Sequence, residues 1–175
     1  MKITGPEKQF WWLFKRIKDT NKIPEKLEGF SSVDSVDDDE NVGFLIDRIK
    51  IIHHIYMKET SLTDAGVKRI GEIKELKTLT LMKHPKITIA SLRYLNRLTD
   101  LEYLDLWRTN ILLKDVHHLT NLKNLKELYL SPTKRTEEGV FPEMSNDEIL
   151  EKVIDLEVLF PKCAIYVDFE LYLIK

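Results

Sequence analysis

A single cysteine, Cys163, stands in 175 residues, so no internal disulfide framework can form, and a reducing, cytoplasmic setting is the expectation. Long apolar runs are missing too. No uninterrupted stretch approaches the roughly 18 to 20 residues that a bilayer span needs. The short run from Phe10 to Phe14 is followed too soon by Lys15, Arg16 and Lys18 to read as a secretory signal. Neither sign of charge dominates: 27 Lys and Arg stand against 29 Asp and Glu, a formal net charge of −2. No overall positive field therefore draws in nucleic acid, and no acidic excess marks a cationic target. The remaining composition, 43% hydrophobic and 32% charged, is that of one folded domain with a heavily solvated exterior.

Signatures of catalysis are also lacking. There is no G-x-S-x-G elbow, P-loop, dinucleotide fingerprint or H-E-x-x-H helix, and neither Gly66 nor Gly71 is accompanied by the lysine that phosphate cradling needs. The acidic run Asp34, Asp37, Asp38, Asp39, Glu40 fails as a calcium loop: a loop starting at Asp37 puts Val42 where glycine belongs and Arg48 where the closing glutamate belongs. It reads as a solvated loop or as a contact for a basic partner. The pairs His53-His54 and His117-His118 lack metal-ligand spacing. The expectation is a protein that is not an enzyme, with no cofactor, no metal and no small-molecule substrate.

What the chain does have is a repeat. Leu101-Glu102-Tyr103-Leu104-Asp105-Leu106-Trp107-Arg108-Thr109 carries leucine at its first, fourth and sixth places and threonine at its ninth. Leu125, Leu128, Leu130 and Thr133 fit the same template; so do Leu76, Leu79, Leu81 and His84, and Ile52, Ile55, Met57 and Thr60. The first positions are separated by 24, 25 and 24 residues, a constant spacing that means stacked equivalent units. Alternate strand side chains point to opposite faces, so the aliphatic set packs inward and the residues between face solvent. The ninth-place threonines read as turn residues bonded to backbone. Between strands, Ile70 and Ile73; Leu92, Leu95 and Leu98; Val116, Leu119 and Leu122; and Ile149, Val153, Ile154 and Leu156 recur at helical spacing, with Asn146-Asp147 as an N-cap for the last set.

These residues resemble the L-x-x-L-x-L-x-x-N/T pattern of leucine-rich repeats over roughly residues 49–167, and the stretch Thr60-Ser61-Leu62-Thr63-Asp64-Ala65-Gly66-Val67, intact only in the first copy, resembles the threonine-aspartate-glycine variant of bacterial repeat proteins. Two departures stand out: an extra residue near His84-Pro85-Lys86, and a lengthened returning segment from Lys134 to Asp147. The resemblance implies an α/β leucine-rich-repeat solenoid with a parallel concave sheet, convex helices and a helical N-terminal cap. Residues 1–48 would form that cap, with its acidic loop, and residues 49–175 the solenoid with a C-terminal capping strand. Pro161-Lys162-Cys163-Ala164-Ile165 resembles the lead-in to such a closing strand, which makes Cys163 structural. The alternation Ile165, Val167, Phe169, Leu171, Leu173 predicts one long final strand whose exposed edge could support self-association. In the cap, a helix from Glu7 to Asp19 would place Phe10, Leu13, Phe14 and Ile17 on one face. Trp12 then lies about 200° from Phe10, nearly opposite. A second helix around Asn41 to Ile49 or the acidic segment would cover Trp12; otherwise it makes a secondary contact or a membrane-surface helix.

The solvent-facing strand positions name the candidate site: Tyr56 and Lys58; Tyr103, Asp105, Trp107 and Arg108; Glu127 and Tyr129; Tyr166 and Asp168. Tyr, Trp and Arg anchor protein interfaces, giving large contact area for little lost rotamer freedom, and the interspersed charges could select a partner. Against this stands the fact that aromatic residues suit strands and pair across them. Another protein is the expected partner, with no nucleic acid and no membrane. Compact repeat proteins of this kind are often inhibitors, so the most specific expectation is an immunity-type protein that neutralises a toxic enzyme. The alternative is an adaptor whose N-terminal cap recruits an enzyme.

Overall fold

Every leucine-patterned segment lies on a strand of one sheet. The computed structural model describes residues 4–136, 139–141 and 144–173. In chain order the elements are helix α1 (Gly5–Lys15), strand β1 (Lys26–Val33), α2 (Asp39–Arg48), β2 (Ile51–Lys58), α3 (Asp64–Ile70), β3 (Thr78–Met82), α4 (Leu92–Leu95), β4 (Tyr103–Asp105), β5 (Glu127–Leu130), β6 (Lys134–Thr136), β7 (Gly139–Phe141), α5 (Asn146–Glu157), β8 (Ala164–Val167) and β9 (Glu170–Leu173). Short 3-10 turns at Ile89–Ser91 and Leu113–His118 stand where longer helices would otherwise run. The seven-stranded open sheet has the order β1-β2-β3-β4-β5-β8-β9; its first six strands are parallel, and β9 returns antiparallel to β8.

Register aligns Phe30, Ile55, Leu79, Leu104, Leu128 and Ile165 in one row across the sheet, and all six are buried. They join the inward residues of the helices in one continuous hydrophobic core that runs from Phe10 to Val167. Each such side chain contributes about 1.5 to 3 kcal/mol on burial. Of the helical-spacing positions, Ile154 alone is exposed.

Three further features tie successive units together. Asp39 accepts hydrogen bonds from the Thr63 amide (2.8 Å), the Thr63 hydroxyl (2.6 Å) and the Gly66 amide (2.9 Å). Asp64 repeats this on the Thr88 amide (2.8 Å), the Thr88 hydroxyl (2.7 Å) and the Ser91 hydroxyl. Each carboxylate thus fills donors at the start of the next unit's helical turn, which would otherwise lack partners. At the end of the strands, Asp34, Glu59, Lys83 and Arg108 all have positive φ, between 48° and 58°. The amide of each donates onward: to the Lys58, Met82 and Trp107 carbonyls and, for Arg108, to the Ser131 hydroxyl. Those bonds hold a conformation that non-glycine residues otherwise avoid. Finally, Thr109 donates to the Leu106 carbonyl at 2.8 Å, as its turn position predicts. Thr60 instead donates, through hydroxyl (2.8 Å) and amide (3.2 Å), to Nε2 of buried His84. This fixes the Nδ1-protonated tautomer, and burial lowers the His84 pKa.

Several expectations need correction. Residues 1–48 are not wholly helical: β1 lies inside them and pairs with β2, setting Leu27, Phe30 and Ser32 against Ile52, Ile55 and Met57. The repeat therefore begins one unit earlier, disguised by phenylalanine and serine at aliphatic places. The acidic run is not a solvated loop. Asp37 accepts from the hydroxyls of Ser32 (2.5 Å) and Ser35 (3.1 Å), Asp38 caps α2, and Asp39 forms the ladder above. Helix α1 stops at Lys15 because Arg16 turns left-handed, and it buries Phe10 and Trp11 while Leu13 stays 65% exposed. Trp12 is exposed beneath the cations of Arg16 (5.0 Å) and Lys18 (4.7 Å), not covered by α2. The N-cap of α5 is Ser145, not Asn146-Asp147.

The long final strand is a hairpin. Asp168 and Phe169 both have positive φ, as a two-residue turn matched to strand twist requires. The lengthened segment contains the antiparallel ribbon β6–β7; its residues 137–138 and 142–143 lie outside the described residues. Among the described residues, no helix is long and apolar enough to cross a membrane.

Candidate functional site

Among the described residues, helices and turns pack on one face of the sheet and leave the other uncovered. Strand alternation puts three rows on this open face. The first runs Gly29, His54, Thr78, Tyr103, Glu127, Ala164; the second Ser31, Tyr56, Thr80, Asp105, Tyr129, Tyr166. The third begins Val33, Lys58, Met82 and continues just beyond the short strands, through Trp107 two places past β4 and Ser131 and Asp168 one place past β5 and β8. The ten residues expected from sequence fall on these rows, apart from Arg108, which sits at the turn just past Trp107.

Within the rows the rings are joined. Tyr129 stacks on Tyr166 with centroids 4.3 Å apart and planes 2° from parallel, and Tyr103 leans on Tyr129 at 5.2 Å. Trp107 packs against Phe169 at 4.7 Å, its indole N–H donates to Asp168 Oδ1 at 2.8 Å, and the Arg108 guanidinium lies over its ring at 4.1 Å. The Tyr129 hydroxyl donates to Glu127 at 2.9 Å. Burial, followed by that bond and the Glu127 charge, pushes the Tyr129 pKa up, and burial with nearby Asp105 pushes Tyr103 up to about 12. Both phenols are therefore neutral over the physiological range.

Asp105 departs from expectation. Read as an exposed selector of charge, it is only 2% exposed, beside Thr80 at 4%, and Ser131 is buried as well. Short side chains on a sheet sink between taller neighbours, and here the neighbours are rings. Asp105 Oδ1 accepts the Trp107 amide at 2.9 Å, and burial pushes the carboxyl up to about 6. Tyr56 is 41% exposed; Lys58, Tyr103, Trp107, Arg108, Glu127, Tyr129, Tyr166 and Asp168 are half-buried.

Sequence reasoning missed Phe169 as a site residue, because an unbroken alternation placed it within one long final strand; it lies in the turn and is half exposed. The signal that could have found it was the Asp168-Phe169-Glu170 interruption, polar on both sides of the ring.

At the lower edge His53 lies between Glu28 (3.1 Å) and Glu75 (3.4 Å), and the His54 Nδ1 meets the Thr78 hydroxyl at 2.9 Å. Among the described residues no group of three or more His, Cys, Asp or Glu could hold a metal ion. Cys163 is buried, with its thiol pushed up to about 12 by burial. Away from the open face, a cleft of about 550 Å³ lies between α1 and the β1–α2 connection, lined by Phe10, Leu13, Phe14, Phe30 and Val36 among others.

Neither protein-family models nor curated proteins match this chain. The functional reading therefore rests on the residues and their arrangement.

Proposed function

We propose that this chain is a leucine-rich-repeat solenoid that binds another protein through its open sheet face, the concave side of such a solenoid. Support for the repeat reading comes from units of 24 or 25 residues, a buried aliphatic row in register, and an aspartate ladder between units. The observation that carries the binding reading is the joined set Tyr103, Tyr129, Tyr166, Trp107 and Phe169, spread over a face that no helix covers. A sheet whose core is already filled from the other side needs no such rings for stability. Rings held by neighbours have lost their rotamer freedom before a partner arrives, so binding costs less. The most specific form of the proposal is a cytoplasmic inhibitor of the immunity type, which covers the working surface of a toxic enzyme and performs no chemistry itself.

The test is calorimetric titration of the captured partner against the intact chain and against the Trp107→Ala/Tyr129→Ala double variant. A loss of at least about 100-fold in affinity on folded protein is expected, as for central aromatic anchors; unchanged affinity rejects the face.

The adaptor reading has its own observation: Leu13 and Val36 stand exposed at the rim of the α1 cleft. Because β1 pairs with β2, it must be tested on the whole chain. Partner loss on Leu13→Asp/Val36→Asp, with binding kept by the double variant above, would move the function to the cap.

A further inference from the structure

Buried carboxylates in proteins are normally matched by hydrogen bonds or a cation. Asp105 is not. Its one hydrogen bond among the described residues is the Trp107 amide on Oδ1, and among the same residues no lysine, arginine or histidine pairs with the carboxylate, which leaves Oδ2 facing the open side. Leu104 and Leu106 on either side point into the core, so the carboxylate belongs to the open face. Its surroundings follow from register. Tyr103 and Trp107 stand two places before and after it on the same face, Tyr129 is its partner on the next strand, and Tyr56 lies two strands away beyond Thr80. At about 4.8 Å per strand, Tyr56 and Tyr129 are roughly three strand spacings apart, with only Thr80 and Asp105 between them.

We infer that Asp105 is the floor of a subsite that takes the ammonium group of a lysine side chain from the bound partner, with the rings of Tyr56, Tyr103, Trp107 and Tyr129 lining its walls. The inference rests on the open-face reading above and deepens it. Aromatic walls around a carboxylate suit a cation on an apolar stem: the rings attract the charge through their faces, and the methylene chain packs against their edges. Lysine fits better than arginine on two counts. One carboxylate oxygen is already engaged, which leaves a single-point acceptor in place of the bidentate fork that a guanidinium prefers. The floor is also recessed beneath the rings, so a slender stem with a compact head reaches it more readily than a planar group. Tyr56 is the least held wall: it is 41% exposed, and among the described residues its hydroxyl meets Met82 Sδ alone, at 3.9 Å. An empty subsite leaves the carboxylate poorly solvated, consistent with its raised pKa; a bound ammonium would bring that pKa back down.

The experiment is an NMR titration of the intact chain with N-acetyl-lysine-N-methylamide, and with the norleucine and arginine analogues as controls. The Trp107 amide, its indole N–H and the Asp105 Cγ are followed. The lysine probe is expected to shift these signals saturably and to lower the Asp105 pKa, and Asp105→Asn, which keeps the acceptor for the Trp107 amide, is expected to weaken the probe by at least about tenfold. Norleucine binding as well as lysine would overturn the cation; arginine binding as well would overturn the choice of ammonium. Shifts that survive Asp105→Asn, or no shift at all, would overturn the subsite. None of these results touches the open-face reading, which stands or falls on the Trp107/Tyr129 double variant and its partner.

Discussion

The two ends of the sheet divide its work. Toward the N-terminus, β1 and β2 are eight residues each, α2 has ten, and the Asp39 and Asp64 ladder locks unit to unit. The open face there is mostly small or polar: Gly29, Ser31, His54, Thr78. Toward the C-terminus the strands shrink to three or four residues, the Leu113–His118 stretch is a 3-10 turn, and Leu112 offers no side-chain cap. The open face there carries the joined rings. Backbone regularity and side-chain chemistry are thus concentrated at opposite ends.

The sharpest way to break this division is at the regular end. A Cβ at Gly66 would meet Leu62 Cδ1 and lie 2.5 Å from Asp39 Oδ1. Gly66→Ala is therefore expected to displace the carboxylate and strand the Thr63 and Gly66 amides, costing about 3 kcal/mol or more in urea unfolding. Tyr103→Ala/Tyr166→Ala at the other end is expected to cost less than this in the same assay, and a larger loss would make the rings chiefly structural.

Next in size is Asp105. Burial pushes its folded pKa up to about 6 from the ordinary aspartate value of 3.8, so between these values the folded state holds a proton that the unfolded chain has released. The stability from this group is full below about pH 4 and is lost as pH rises through 6. Asp105→Asn should flatten that slope and stabilise the protein at pH 7 by about 2 kcal/mol, read from paired denaturation curves at pH 4.5 and 7.

His84 gives the smallest effect and the opposite sign. Its pKa is lowered from 6.5 by burial, so its contribution is present above that value and is lost as acid is added. His84→Gln should remove a downward step in melting temperature between pH 7.5 and 5. A step that persists would place the titration elsewhere.

The sequence made much of this legible. The aliphatic template located β2 to β5 and the open-face rows, because burial demands the same residue class at the same place in every unit. The extra residue lies near Pro85, as the repeat spacing indicates: Thr60 pairs with His84 after 24 residues, whereas Thr63, which caps α3, has its counterpart in Thr88, the cap of the next turn, one place later than that spacing. What was hidden were positions where a different physical solution fills the same role. Phe30 and Ser32 serve β1 as Ile55 and Met57 serve β2. In an apparently acidic loop, Asp39 is the acceptor for amides more than twenty residues away, invisible without the neighbouring unit. Asp105 was placed on its face correctly but at the wrong depth, because alternation gives direction and says nothing of the height of neighbouring side chains. Phe169 followed an alternation that the backbone leaves at Asp168.

The reversal at Asp168-Phe169 also changes what β8 offers to a neighbour. Parallel strands invite another of their kind, and a β8 left bare would accept one from a second chain. By folding β9 back against it, the protein closes its own growing edge with four residues. An additional 24-residue block spliced in ahead of β4 should therefore lengthen the sheet while leaving the β8–β9 hairpin as it is. Ring surface could then be added in whole increments, and the final hairpin would still be the full stop.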